Sequence, residues 1–190
     1  MASSRRGGAF DLDAEGRLAG VRFVASPNCD VRPDPEAVTL IVLHGISLPP
    51  GRFNGDAVER LFTNSLDPAG HPYYAAIAAL RVSAHFFVRR RGDIVQFVPC
   101  ALRAWHAGVS NWRGRERCND FSVGIEIEGA DDVAYTAAQY RATARLVAAV
   151  SRRYAIADVV GHSDVAPGRK TDPGPAFDWL RFRAELARRA

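Results

Sequence analysis

The apolar run at residues 38–43 constrains the fold of this 190-residue chain most strongly. Every residue in the run except Thr39 is hydrophobic, so side chains of both parities are apolar. A strand with that pattern is buried on both of its faces, which places it in the centre of a sheet. His44 follows as the terminal residue of the predicted strand, where its side chain can reach a cleft beside the sheet.

A second predicted strand, over 121–128, has a period of two. Its apolar residues alternate with serine, glycine and glutamate, so Glu126 and Glu128 point away from the apolar face. Without further information, that pattern favours a solvated strand face carrying both carboxylates. Farther on, Thr136 and Gln139 have the spacing of a capping box and predict the start of a long helix.

The remaining periodicities complete a mixed pattern of helices and strands. We predict helices at 56–62 and 73–80, hairpin strands at 82–89 and 94–98, an irregular surface segment at 101–120, a strand at 159–160, a loop at 161–175, and a last helix from about Phe177 with Trp179, Phe182 and Leu186 on one stripe. These elements predict a mixed α/β fold, in which a central, mostly buried mixed β-sheet is flanked by helices.

Length and composition favour one domain. The chain is 47% hydrophobic and 24% charged, and it contains no repeat or evident linker, so we expect a loose lead-in at 1–20 and a single domain at 21–190. Three widely spaced cysteines form no regular disulfide framework and favour a reducing compartment. No export signal or stretch of about 18 apolar residues is evident, which predicts a cytoplasmic protein with no membrane partner.

The charge of the chain is modest. Its 25 basic and 21 acidic residues give a net charge of +4, which favours acidic ligands. Arginine runs at 89–91 and 113–117 suggest a nucleic-acid-binding protein as one alternative, but no nucleic-acid motif accompanies them, so we predict no nucleic-acid partner. Lys170 is the single lysine of the chain, which marks its side chain for attention, although a surface lysine in a loop is the simpler interpretation.

Two of the five histidines have a context that favours metal binding. His44 and His162 each follow a predicted strand, and Asp172 comes ten residues after His162. Two histidines and a carboxylate form a three-ligand zinc site with a fourth position left open. The spacing alone leaves Asp164 as an alternative to Asp172.

Such a site needs a base and a positive group to hydrolyse a carbonyl compound. Glu126 is the candidate base for a water molecule, and Lys170 is the candidate for stabilising charge on a carbonyl oxygen. His85 and His106 are predicted to be buried, hydrogen-bonded structural residues, and His71 to be a loop or helix-start residue.

Six blocks of the sequence resemble, in the same order, those of the cytoplasmic anhydro-N-acetylmuramyl-L-alanine amidases. The blocks are 44–51 (HGISLPPG), 81–85 (RVSAH), 104–108 (AWHAG), 116–122 (ERCNDFS), 124–129 (GIEIEG) and 161–175, the last with RKTDPGP at 169–175. The resemblance runs from about Gly20 to Phe182. It implies a zinc amidase, related to phage lysozyme-type amidases and peptidoglycan recognition proteins, with a central mixed sheet and flanking helices.

The resemblance also implies roles for individual residues. It carries the zinc ligands onto His44, His162 and Asp172, the catalytic glutamate onto Glu126, and the lysine that stabilises the intermediate onto Lys170. The implied reaction cleaves the amide between the lactyl group of 1,6-anhydro-N-acetylmuramic acid and L-alanine of the stem peptide. This step belongs to cytoplasmic peptidoglycan recycling, with an indirect link to β-lactamase induction.

The resemblance carries substrate contacts onto Trp105, Arg81 and Arg117. Arginines bind carboxylates of a stem peptide, and an indole ring offers a flat face to a sugar, whereas a core tryptophan and solvated arginines are an equally good interpretation of each residue alone. The family has asparagine after the first zinc histidine and this chain has Gly45, so a backbone group or water replaces that amide, or selectivity for the sugar changes.

Two functions are alternatives to an enzyme that cleaves muropeptides in the cytoplasm. One is a binding module that recognises muropeptides without cutting them, although such relatives generally lack a complete ligand set. The other is an amidase of intact periplasmic peptidoglycan, which requires an export signal.

Overall fold

The computed structural model describes residues 10–33 and 38–189. Its strands are β1 (Arg22–Phe23), β2 (Cys29–Val31), β3 (Leu40–Ile46), β4 (Phe86–Val88), β5 (Ile94–Gln96), β6 (Leu102–Ala104), β7 (Asn111–Trp112), β8 (Arg115–Glu116), β9 (Ser122–Glu128) and β10 (Asp158–Gly161). Its α-helices are α1 (Ala57–Phe62), α2 (Pro72–Ile77), α3 (Ala137–Arg153), α4 (His162–Val165) and α5 (Trp179–Ala187). Short 3-10 turns lie at Pro68–Gly70 and Cys118–Asp120.

Six strands form the central sheet in the order β1-β5-β4-β9-β3-β10. β4 and β5 pair antiparallel as the predicted hairpin, and the other neighbouring pairs are parallel. β3 and β9 lie next to each other inside the sheet and pair over seven residues, from Leu40 opposite Ser122 to Ile46 opposite Glu128. The predicted mixed sheet with flanking helices is therefore confirmed.

The two faces of the sheet bury different side chains. Ile41 and Leu43 of β3 belong to the core cluster that also contains the buried residues of α3 and Phe182 of α5. Leu40 and Val42 point to the other face and belong to a cluster with Val160 of β10 and Val165 of α4. Because side chains alternate along a strand, the face of Leu40 and Val42 is also the face of His44.

Local signals predicted several boundaries well. The Thr136 side chain accepts a hydrogen bond from the backbone N–H of Gln139, and the Gln139 side chain accepts one from the N–H of Thr136, which confirms the capping box. The last helix begins after Asp178, whose side chain accepts the N–H of Arg181. Trp179 packs against the core as the predicted stripe requires.

Three expectations are corrected. β3 continues to Ile46, so His44 is not its terminal residue. The segment 101–120 contains the short strands β6, β7 and β8, so it is not irregular throughout, and it buries Ala104 and Ala107 completely, whereas most of residues 108–117 are exposed as predicted. The loop predicted at 161–175 begins with the single turn of α4, since Asp164 accepts the N–H of Gly161 and caps that turn.

The lead-in is described from Phe10 onward, and residues 1–9 lie outside the described residues. Leu18 is only 4% exposed, its N–H donates to the Gln96 side chain, and the Gln96 amide donates to the carbonyl of Gly16. This part of the lead-in therefore packs on the domain instead of lying loose. Within the described ranges, the structure contains no helix long and apolar enough to cross a membrane.

Candidate metal centre and active site

The sheet places two candidate residues side by side. His44 of β3 is the register partner of Glu126 of β9, and Gly161 of β10 is the register partner of Leu43. His162, which follows Gly161 as the first residue of α4, therefore comes next to His44. Backbone pairing, rather than loop conformation, sets the positions of these side chains.

Three predicted ligand atoms converge on one point. His44 Nδ1 and His162 Nδ1 are 2.9 Å apart, and Asp172 Oδ2 lies 3.2 Å from the first and 3.1 Å from the second. Both histidines are buried, with 1% and 3% of their surface exposed. Asp164, the alternative carboxylate, is engaged with the backbone of Gly161 and lies outside this cluster.

The donor set fits a zinc ion. Neutral imidazole nitrogens and a carboxylate oxygen are common zinc ligands, and their spacing lets all three contact one ion at bond lengths of about 2.0–2.2 Å. Burial lowers the pKa of His44 to about 4, a change that Asp172 opposes in part. The ring is therefore neutral near pH 7, which is the form that binds a metal.

Glu126 lies on the same face of the sheet and is buried, not solvated. It is 9% exposed, and its Oε2 atom has no hydrogen-bond partner among the described residues. Burial raises the pKa of Glu126 well above its usual range, and nearby Asp172 adds to this effect while Lys170 opposes it. A buried carboxylate oxygen with no protein partner is available for water or substrate.

Glu128, the second glutamate of β9, has a structural role. It is 2% exposed, and its carboxylate accepts hydrogen bonds from the backbone N–H groups of Asn54 and Arg90. The solvated strand face expected from the alternating pattern is therefore wrong for both glutamates. The pattern misleads because β9 lies in the middle of the sheet and other segments cover its polar face.

The candidate residues open into a cleft of about 540 Å³. Its walls include Gly45, Leu48, Phe62, Tyr73, Leu80, Glu126, Asp131, His162, Lys170 and Asp172. Lys170 is exposed at this wall, so the single lysine of the chain faces the same space as Glu126 and the three potential ligands. The cleft thus combines apolar walls with a candidate base, a cation and a cluster of potential metal ligands, a combination typical of an active site for a small polar ligand.

The predicted substrate residues fall into two neighbouring places. Arg81 and Trp105 line a smaller recess together with His162 and Lys170. Trp105 is half-buried, and its indole N–H donates to Asp30. Arg117 lies apart, in a cavity of about 510 Å³. The structure therefore brings Arg81 and Trp105, but not Arg117, to the recess beside the metal-binding cluster.

Tyr135 contacts the loop that carries Asp172, and nothing in the sequence indicates this contact. Its hydroxyl donates to the carbonyl of Pro173, which fixes the loop that carries Asp172. A Cβ atom at position 45 would lie 2.4 Å from that hydroxyl oxygen, so a side chain in place of Gly45 requires Tyr135 to move. No local signal in the sequence connects residues so far apart in the chain.

The other histidines have the predicted structural roles. His85 is fully buried and accepts the N–H of Gly124, and burial lowers its pKa to about 3. His106 is also buried and hydrogen-bonded, and His71 caps the start of α2. Cys118 is a buried free thiol whose pKa is raised by burial, as expected for a packed side chain rather than a nucleophile.

Comparison with known proteins gives consistent matches. The profile of the family described as N-acetylmuramoyl-L-alanine amidase matches residues 34–175. The 1,6-anhydro-N-acetylmuramyl-L-alanine amidase AmpD of Citrobacter freundii is 60% identical over 172 residues, which cover 90% of this chain and 92% of the relative.

Solved structures agree with this similarity. A crystal structure of a selenomethionine derivative of AmpD aligns with a TM-score of 0.90 and 59% identity, over 92% of this chain and 98% of the other. The amidase AmiD of Escherichia coli, in complex with the substrate anhydro-N-acetylmuramic acid-L-Ala-D-γ-Glu-L-Lys, aligns with a TM-score of 0.57 and 29% identity, over 92% of this chain and 65% of the other.

Proposed function

The chain belongs to the N-acetylmuramoyl-L-alanine amidase family and is an amidase, and we propose that it works as a zinc enzyme on 1,6-anhydromuropeptides. The bond cleaved joins the lactyl group of 1,6-anhydro-N-acetylmuramic acid to L-alanine of the stem peptide. The observation that carries the mechanism is the buried Oε2 atom of Glu126, which has no hydrogen-bond partner in the described part of the chain and lies on the same sheet face as His44.

His44, His162 and Asp172 hold the zinc ion in this proposal. The support is the convergence of two Nδ1 atoms and one carboxylate oxygen within 3.2 Å of one another. When bound, zinc supplies Lewis-acid chemistry, because it polarises a carbonyl group and lowers the pKa of water towards about 7.

Glu126 moves the proton. Its raised pKa brings the carboxylate closer to the working pH, where a group accepts and returns a proton most effectively. In the proposed reaction, Glu126 takes the proton of the attacking water and delivers it to the amide nitrogen of the leaving L-alanine. Its buried position keeps bulk water away from that transfer.

Lys170 stabilises charge. The former carbonyl oxygen becomes negative as water adds to the amide carbon, and the ammonium group of Lys170 lines the cleft in which this occurs. A fixed cation near a developing oxyanion lowers the barrier more than it tightens substrate binding.

The substrate is a small muropeptide, recognised at both of its ends. Trp105 offers an apolar face beside the cluster, and Arg81 and Arg117 bind carboxylates of the stem peptide. The AmiD complex contains a ligand of this class, which supports the assignment. Nucleic acid and membrane are not partners in this proposal.

The cellular role follows from the substrate class. An enzyme that acts on anhydromuropeptides takes part in recycling cell-wall fragments in the cytoplasm, with an indirect link to β-lactamase induction. We assign this chemistry to the domain at 21–190, because every residue assigned above lies within it.

Incubation of the purified, zinc-loaded protein with anhydro-muramyl tripeptide, followed by mass spectrometry, tests the proposal. We expect free tripeptide and anhydro-N-acetylmuramic acid, and we expect a chelator to abolish release and added zinc to restore it. Binding without release in the zinc-loaded protein would identify a recognition module instead. Release that is unchanged after verified removal of metal would contradict the zinc mechanism.

A further inference from the structure

Two consecutive residues, His106 and Ala107, contact both histidines of the ligand cluster from behind. The Nε2 atom of His44, which points away from the cluster, lies 2.9 Å from Nδ1 of His106. The Nε2 atom of His162 lies 3.1 Å from the carbonyl oxygen of Ala107. A short stretch of chain therefore controls how both rings are oriented.

A chain of hydrogen bonds behind His44 has one possible direction. It ends at the carbonyl oxygen of Cys118, which can only accept, so the Ser122 hydroxyl 2.5 Å away donates to it. Ser122 Oγ then accepts from Nε2 of His106, at 3.1 Å. With its proton on Nε2, His106 presents a lone pair on Nδ1 and accepts the Nε2–H of His44.

The same reasoning applies to His162. Since the carbonyl oxygen of Ala107 can only accept, Nε2 of His162 carries a proton and donates to it, so Nδ1 is the ring nitrogen that can bind a metal. Both metal-facing Nδ1 atoms are thus left with free lone pairs directed at the space beside Asp172. Hydrogen bonds to the outer nitrogen of a ligating histidine fix its tautomer and orientation in this way.

A single side-chain oxygen holds the backbone of both supporting residues. Asn119 Oδ1 accepts the N–H of His106 at 3.1 Å and the N–H of Ala107 at 2.8 Å. Asn119 is itself anchored, because it lies in the 3-10 turn Cys118–Asp120 and its carbonyl accepts a hydrogen bond from Arg32.

The backbone of β9 prevents the His106 ring from moving closer to the sheet. A Cβ atom at Gly124 of β9 would lie 2.4 Å from Cγ of His106, so the ring lies directly against the strand backbone. The ring is therefore held by contact with the sheet on one side and by the Asn119 hydrogen bond to its backbone.

We propose that Asn119 is a positioning residue for both metal-binding histidines, acting through the backbone of His106 and Ala107. The inference rests on the proposed function insofar as the cluster binds zinc. Loss of such an outer contact typically weakens metal affinity 10- to 100-fold.

The test compares two substitutions of similar size. Asn119→Leu removes the acceptor, and Asn119→Asp keeps an oxygen in its place. In a competition titration with a chromophoric chelator, we expect the leucine variant to bind zinc about 10- to 100-fold more weakly and the aspartate variant to stay within a few-fold of the wild type. Asn111→Leu is the matched control. The Asn111 side chain also accepts a backbone N–H, that of Gly114, and it does not touch the ligand cluster.

A second measurement separates positioning from general loss of structure. In the metal-free protein, nitrogen NMR of the histidine rings is expected to show His44 and His162 with the proton on Nε2. Asn119→Leu is expected to give mixed tautomers. If that variant does not fold, Asn119→Ala removes the same acceptor without adding apolar bulk, and the same mixed tautomers of both rings are expected.

The outcomes are distinct. Zinc affinity and ring tautomers that are unchanged in Asn119→Leu would overturn the positioning role while leaving the amidase mechanism intact. A wild-type protein that binds no zinc would overturn the proposed function, and the ring spectra of the metal-free protein would still decide the role of Asn119.

Discussion

His44 and Glu126 occupy the same register position on two neighbouring parallel strands, β3 and β9. Side chains at one register position point to the same face of a sheet, so a potential metal ligand and a potential base share a face as a consequence of backbone pairing. Neither side chain depends on a mobile loop for its place. This arrangement allows the two functions to be separated by substitution, because removal of the carboxylate leaves the strand pairing unchanged.

The first prediction concerns Glu126→Gln. We expect the variant to retain zinc and to lose about 10²- to 10⁴-fold in kcat, the range typical for loss of a general base. Zinc content by atomic absorption and steady-state release of tripeptide are the two measurements. Glu15→Gln, which changes an exposed carboxylate of the N-terminal segment away from the cleft and from the cavity of Arg117, is the control and should behave as the wild type. Near-normal turnover in Glu126→Gln would remove this residue from the mechanism.

The second prediction concerns stability and pH in the metal-free protein. The pKa of Glu126 is higher in the folded state than the usual value of 4.5, so the folded protein binds this proton more strongly than the unfolded chain. The contribution of Glu126 to the free energy of unfolding is therefore fully present below about pH 4.5. It is lost as the pH rises through the pKa that Glu126 has in the folded protein. Glu126→Gln does not undergo this loss. We expect it to be more stable than the wild type at pH 7, with the difference disappearing near pH 4.

Urea unfolding of both metal-free proteins at several pH values measures that difference. Glu128→Gln is the contrasting variant, because the Glu128 carboxylate accepts two backbone N–H groups and its loss should destabilise the protein at pH 7. A Glu126→Gln variant less stable than the wild type at neutral pH would contradict this prediction. It would show that other interactions in the folded protein stabilise the ionised carboxylate of Glu126.

Local patterns were sufficient for much of the fold. The all-apolar run predicted the inner strand β3, and the Thr136 and Gln139 pair predicted the start of α3, because each feature depends on residues close in sequence. Their places after predicted strands also made His44 and His162 candidates for one site, whereas spacing alone left Asp164 as an alternative and only the resemblance pointed to Asp172.

Contacts between distant segments could not be predicted in the same way. The alternating residues of β9 favoured a solvated face, whereas Glu126 and Glu128 are buried because segments from elsewhere in the chain cover that face. The contacts of Asn119 with the backbone of His106 and of Tyr135 with Pro173 leave no periodic trace in the sequence. They arise only when the sheet brings these segments together.

The third prediction distinguishes two aspartates of the same loop. Asp172→Asn replaces a ligand oxygen of the cluster and should weaken zinc binding strongly, whereas Asp164→Asn changes only the cap of α4. The amide oxygen of the asparagine can still accept the N–H of Gly161, so stability should change little and zinc content should be retained. Equilibrium dialysis against a zinc buffer gives both affinities. Equal loss of zinc in the two variants would contradict the assignment of Asp172.

The fourth prediction concerns Arg81, which lines the recess beside Trp105. If its guanidinium binds a carboxylate of the stem peptide, Arg81→Ala removes a charged hydrogen bond worth about 1.5–3 kcal/mol. That corresponds to a rise in KM of about 10- to 100-fold with little change in kcat, because the contact is the same in the ground state and the transition state. Arg91→Ala, in the exposed turn of the β4–β5 hairpin, lowers the net charge equally and should leave KM unchanged. A fall in kcat at constant KM in Arg81→Ala would instead assign this arginine to the transition state.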